Sequence, residues 1–133
     1  MTVYQLIYAS RPFGFDEAVL NGILVGARRY NAEHDITGAL ICRADLYLQL
    51  LEGPEKTVKA LYRQITTDNR HVEVEQLLSR SADQRLFPDW AMLHDPAKSW
   101  LWSAEEVSDG ALRHASEDEI IGVFERSAKD AAH

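Results

Sequence analysis

Six residues, Leu46-Tyr47-Leu48-Gln49-Leu50-Leu51, constrain the fold more than any other stretch of the chain. The run is apolar on both sides of a β pleat, so it reads as a strand in a sheet covered on both faces. The elements around it are of matching kind. Val3 to Ala9 is rich in β-formers and bounded by Ser10, Arg11 and Pro12, which makes a first strand with Tyr8 closing it. Asp16 is expected to cap a helix from Glu17 to about Asn31, in which Val19, Leu20, Ile23, Leu24 and Ala27 recur at helical spacing. Ile36 to Cys42 and Leu46 to Glu52 are separated by Arg43, Ala44 and Asp45, a spacing that suits a β-hairpin. Gly53-Pro54 ends that second strand of the pair. Pro54 fits the first turn of a helix carrying Val58, Leu61, Tyr62 and Ile65 and stopping near Asp68.

Val72, Val74, Gln76 and Leu78 alternate with Glu73, Glu75 and Leu77, as in a strand at a sheet edge. Leu86 to His94 holds Phe87, Trp90 and Met92, and its Pro88 points to an edge or irregular strand. Two capping boxes follow, Ser103 with Glu106 and Ser116 with Glu119, each marking a helix start; Ile120, Val123 and Phe124 share one face of the second helix. The order predicts an α+β fold: a ferredoxin-like βαββαβ sheet with two helices on one face, an extra fifth strand, and C-terminal helices over the other face. The first and third strands are expected to be parallel neighbours at the centre. Residues 1–95 then form a ligand-binding domain, and 96–133 a helical extension packing on the sheet. Trp100 and Trp102 are expected to cover its second face.

A chain of 133 residues buries roughly 68–70% of its unfolded surface and needs no disulfide or metal to hold a core. The lone Cys42 excludes an internal disulfide and a cysteine-built metal site, and His34 with Asp35 has no second ligand set, so no metal is expected. A formal charge of −7 argues against nucleic acid and anionic membrane as partners. No targeting signal or membrane span is read, so the cytoplasm is the expected location.

Three polar residues sit in apolar places. Tyr8 lies on the first strand, Gln49 lies between leucines on the third, and Asn31 falls four residues beyond Ala27 on the buried stripe of the first helix. Burying an amide without partners costs about 1–3 kcal/mol, so each side chain needs a hydrogen-bonding group inside. Either the three satisfy one another and nearby backbone, or they meet a flat ligand between the two helices that has an apolar ring body and a polar edge.

Five ordered segments resemble one known family. They are Leu6-Ile7-Tyr8-Ala9-Ser10; Asn31 through Asp35-Ile36-Thr37-Gly38; Leu48-Gln49-Leu50-Leu51-Glu52-Gly53-Pro54; Asp68-Asn69-Arg70-His71; and Arg85-Leu86-Phe87-Pro88-Asp89-Trp90-Ala91-Met92. Together, over about Val3 to Leu93, they resemble BLUF domains, blue-light sensors that use FAD, in their short single-domain form. The resemblance implies a photoreceptor that holds flavin noncovalently. By it, Tyr8 is similar to the photoactive tyrosine and Gln49 to the switching glutamine between that tyrosine and the ring. It further likens Asn31 to the amide on the pyrimidine edge, Ile23 and Ile65 to the aliphatic walls, and Trp90 and Met92 to a pair on the last strand near the glutamine. Tyr30 and Ala27 depart from the family pattern, in which a polar side chain and a serine are common.

Arg70 and His71 are candidates for a ribityl phosphate, with FAD the expected cofactor and FMN or riboflavin sharing the same ring. No enzyme activity is expected. Output is expected to pass to a downstream signalling protein, or through self-assembly as a homo-oligomer. Two other readings stand beside this one: an acylphosphatase-like small hydrolase with Arg11 in its anion site, and a ligand-binding regulatory module without photochemistry.

Overall fold

The computed structural model describes residues 2–12, 17–68 and 71–131, with the backbone alone at His71. The proposed cap Asp16 and the candidate Arg70 lie outside the described residues, as does the side chain of His71.

Five strands form one sheet: β1 (Val3–Pro12), β2 (Thr37–Arg43), β3 (Leu46–Gly53), β4 (His71–Ala82) and β5 (Leu93–Pro96), in the order β4-β1-β3-β2-β5. Helices α1 (Glu17–Glu33) and α2 (Glu55–Thr66) lie between strands in sequence, and α3 (Ala104–Ser108), α4 (Ala111–His114) and α5 (Glu117–Ala131) follow β5. The ferredoxin-like arrangement is the expected one, and β4 is at an edge as its alternation predicted. Among the described residues, no helix is long and apolar enough to cross a membrane.

Three expectations about the strands and the loop before β5 need correction. β1 and β3 are neighbours but run antiparallel. The reason is the β2–β3 hairpin, which reverses the chain before β3 inserts between β1 and β2, leaving β3 antiparallel to both. Tyr8 lies mid-way along β1 rather than closing it. The segment holding Trp90 and Met92 is a loop, and β5 begins only at Leu93, pairing in parallel with β2. That loop's polar groups bond elsewhere: Trp90 N–H donates to Phe87 O, and Trp90 O accepts from Gly38 N at 3.1 Å.

Strand alternation divides the interior into two cores. Leu6, Tyr8, Leu40, Tyr47 and Leu51 face α1 and α2, where Leu20, Ile23, Leu24 and Val58 meet them. Ile7, Ala9, Ala39, Ile41, Leu48 and Leu50 face the other way, under Leu112, Ile120, Ile121 and Phe124 of the C-terminal helices. All eight residues of β3 are buried, as a strand apolar on both sides requires. Trp100 and Trp102 pack against the second core, and the Arg126 guanidinium lies 4.4 Å from the Trp100 ring centre.

Both capping boxes form. Ser103 Oγ accepts from Glu106 N while Glu106 Oε1 accepts from Ser103 N, and Ser116 with Glu119 repeats the exchange. Each hydroxyl cap contributes about 1 kcal/mol. Between them, α4 is one more helix than the two expected, a single turn entered through Gly110 at φ +91°. Gly38 is required for a different reason: a Cβ there would lie 1.9 Å from Leu50 O, so only glycine lets β2 approach β3 so closely.

Candidate functional site

Helices α1 and α2 leave a cleft of about 420 Å³ between them. One wall is Ile23, Gly26, Ala27 and Tyr30; the other is Leu61, Gln64, Ile65 and Asp68. Ile23, Gly26, Ala27 and Tyr30 follow the i, i+3, i+4, i+7 spacing of one face of α1, and Leu61, Gln64 and Ile65 share one face of α2 with Asp68 just past its end, so the stripe that packs the core continues as the lining of the cleft. Gln49 from the sheet and Asn31 from α1 complete it. The expected residues Ile23, Asn31, Gln49 and Ile65 therefore meet around one space.

Tyr8 lies behind Gln49, outside the lining. The two residues are directly opposite each other on β1 and β3, and the Tyr8 hydroxyl donates to Gln49 Oε1. Gln49 Nε2 lies 3.4 Å from Met92 Sδ, a weak acceptor. Met92 is 1% exposed while Trp90 is 41% exposed, so the loop places the thioether, and not the indole, against the glutamine. Burial pushes the Tyr8 phenol well above its ordinary pKa of 10.0, with Tyr62 as the next contributor. The Tyr62 ring sits beside it, 5.6 Å between centres.

Asn31 divides its amide. Nδ2 donates to Ala91 O at 2.7 Å, while Oδ1 is buried without a hydrogen-bond partner among the described residues. Arg28, one turn back, donates from Nε to the next carbonyl, Met92 O, at 3.1 Å. The orphaned acceptor and the apolar walls together suit a flat ring that carries an N–H at its edge. A flavin fits that description.

Gln64, Asp68 and Leu61 line the cleft and Arg28 holds its loop, although the sequence alone assigns none of them to the site and marks Leu61 and Asp68 only as helix and segment positions. The helical spacing from Leu61 to Asp68 was the available signal for the first three. Nothing local marks Arg28, whose acceptor is 64 residues away in sequence. Arg11, the anchor of the hydrolase reading, is exposed and paired with Glu73 at 3.3 Å, so its charge is already met by a carboxylate.

The sequence profile of the family described as BLUF, sensors of blue-light using FAD, matches residues 3–93. This chain belongs to the BLUF family. The match excludes none of the five segments and favours neither the hydrolase nor the non-photochemical module. Among curated BLUF-containing relatives, the blue light- and temperature-regulated antirepressor BluF of Escherichia coli (strain K12) is 44% identical over 61 residues, 46% of this chain and 15% of that protein. The photoactivated adenylate cyclase subunit beta of Euglena gracilis is 34% identical over 92 residues, 68% of this chain and 10% of that protein. The chain thus spans 10% to 15% of the length of these relatives. Of the solved structures, BlrB, a BLUF protein in its dark state, superposes with a TM-score of 0.80 at 24% identity, covering 96% of each chain, and so shares the fold. BLUF domains are blue-light flavin sensors, and this chain is a sensor module of that kind.

Cys42, on β2, has a consequence for stability. Its thiol lies 3.2 Å from His94 Nε2, and burial, with the Asp95 carboxylate second, pushes its pKa from 9.0 to about 11. The folded state thus holds the thiol proton more tightly than the unfolded chain does. The resulting stability is fully present below pH 9.0 and is lost as pH rises through about 11. Tyr8, raised in the same direction, extends the loss above pH 10.0. Urea unfolding midpoints are expected to be level from pH 7 to about 9 and to fall beyond it. In Cys42→Ala the fall should start later; an identical alkaline limb in the variant would contradict the assignment.

Proposed function

We propose that the chain holds a flavin noncovalently between α1 and α2 and reads its light state through the Tyr8–Gln49 pair. Ile23 and Ile65 serve as the ring walls, and Asn31 Oδ1 as the acceptor for an N–H on its polar edge. Bound flavin supplies the blue absorption and the oxidising power of an excited state. Tyr8 is the electron donor and then the proton donor on the chain, a task that needs a neutral phenol. An ordinary phenol is already neutral at cellular pH, and burial moves Tyr8 further from ionising. Gln49 is the switch: rotation or tautomerisation exchanges the donor and acceptor ends of its amide between Tyr8 and the cleft.

One observation carries this reading: Gln49 stands between the Tyr8 hydroxyl and the cleft, bonded to the first and lining the second. The cofactor is taken as FAD, following the family description, with Arg70 and His71 assigned to its phosphate side. FMN and riboflavin offer the same ring. The chain acts as a sensor in the cytoplasm without an enzyme activity of its own, with residues 1–95 as the flavin-binding part and 96–133 as the extension through which output leaves. A downstream signalling protein or a second copy of the chain receives it.

The test is a titration of the flavin-free chain with FAD, FMN and riboflavin, followed by visible absorbance and flavin fluorescence. A yellow complex is expected that releases its flavin on denaturation. A chain that takes up none of the three after refolding contradicts the proposal.

A further inference from the structure

The loop between β4 and β5 turns round the end of the sheet and enters both cores. Its first part places Phe87 in the second core, edge-on to Phe124 of α5, with ring centres 6.5 Å apart and planes at 89°. Its last part places Met92 in the first core, against Gln49. One short segment therefore touches the proposed switch on one face of the sheet and the C-terminal helix on the other.

What fixes this loop is a buried acid that the switch does not use. Glu52, on β3 three residues beyond Gln49, is fully buried. Its Oε1 accepts from Phe87 N at 2.9 Å, and its Oε2 accepts from Leu86 N at 2.8 Å and from Gln5 Nε2 at 2.7 Å. Gln5 Oε1 in turn accepts from Arg80 Nε at 3.0 Å. Arg85, next in the loop, donates to Asp35 O, Thr37 Oγ1 and Glu52 O. Three donors converge on one side chain, two of them successive backbone N–H groups, and only an ionised carboxylate accepts all three while presenting no donor of its own. An amide there would turn its NH₂ toward another N–H.

From this geometry we infer that Glu52 is a positioning residue for the Gln49 switch. By clamping Leu86 and Phe87, it makes the loop move as one piece, so a displacement of Met92 at Gln49 is passed to Phe87 and on to Phe124 of α5. The clamp gives the coupling a physical carrier in addition to chain continuity. The inference rests on the reading of Tyr8 and Gln49 given above.

Glu52→Gln tests it, with Arg85→Met as a second variant that loosens the same loop and leaves the carboxylate in place. In the flavin-free chain, amide exchange at Leu86 and Phe87 should quicken about tenfold in Glu52→Gln. In the flavin-loaded chain, the flavin dissociation constant should stay within about twofold of the parent and the light-induced red shift should persist. The difference in α5 exchange between light and dark should meanwhile fall to about half or less. A merely structural role would lower protection in the dark and leave that difference intact. The inference is overturned if α5 responds to light as in the parent once Leu86 and Phe87 are freed, or if flavin affinity and red shift are lost together. If Glu52→Gln does not fold, Arg85→Met decides by the same α5 criterion. A parent chain that binds flavin without any red shift would instead count against the Tyr8–Gln49 reading, and the exchange at Leu86 and Phe87 would still report on the clamp.

Discussion

Tyr8→Phe is expected to keep its flavin and lose the light-induced red shift altogether. The substitution removes one oxygen from a residue behind the cleft lining, so the walls and the Asn31 acceptor are untouched. What disappears is the hydroxyl that donates to Gln49 Oε1, and with it the proton that the proposed switch needs from Tyr8. Gln49→Leu should give the same phenotype from the other side of the bond, because a leucine has no donor and acceptor ends to exchange. Light-minus-dark difference spectra of the two variants, recorded at matched flavin occupancy, measure this. A shift of parental size and recovery in either one removes that residue from the proposed switch.

The second large effect is on affinity. Asn31→Ala should raise the flavin dissociation constant by about 5- to 150-fold, the equivalent of about 1–3 kcal/mol for one buried hydrogen bond with its partner orphaned. Gln49→Leu should raise it less, since Gln49 is assigned to sensing and is held from behind by Tyr8. Asn31 also holds the loop through Ala91 O, so its loss leaves that carbonyl unpaired and is expected to loosen Met92 as well. Equal dissociation constants for the two variants, by fluorescence titration, would contradict this division of labour.

Much of this was legible in the chain because local pattern and tertiary need coincide. β3 shows its double burial in six consecutive residues, and Asn31 shows its inward direction by its distance from Ile23 and Ala27 along one helix face. The misreadings share a cause. The direction of β3 relative to β1 depends on the whole hairpin, and not on either strand's composition. Phe87, Trp90 and Met92 looked like strand positions because apolar side chains recur there. They serve three different environments instead: the second core, the surface and the first core. Glu52 was visible as a carboxylate at the end of an apolar strand, but its donors at Gln5, Leu86 and Phe87 lie 34 to 47 residues away, where no local spacing could indicate them. The divided amide of Asn31 was hidden for the same reason, its loop partner being 60 residues distant.

Gln49, set between Tyr8 and the flavin cleft, is proposed to change its hydrogen bonding when the chain absorbs blue light. The most direct measurement is the visible absorption spectrum of the flavin-loaded chain in the dark, after blue illumination, and again after return to the dark. The expected result is a displacement of the flavin bands to longer wavelength that reverses fully in darkness and vanishes in Tyr8→Phe. Flavin bands that stay in place under illumination, or that bleach without recovery, would contradict it.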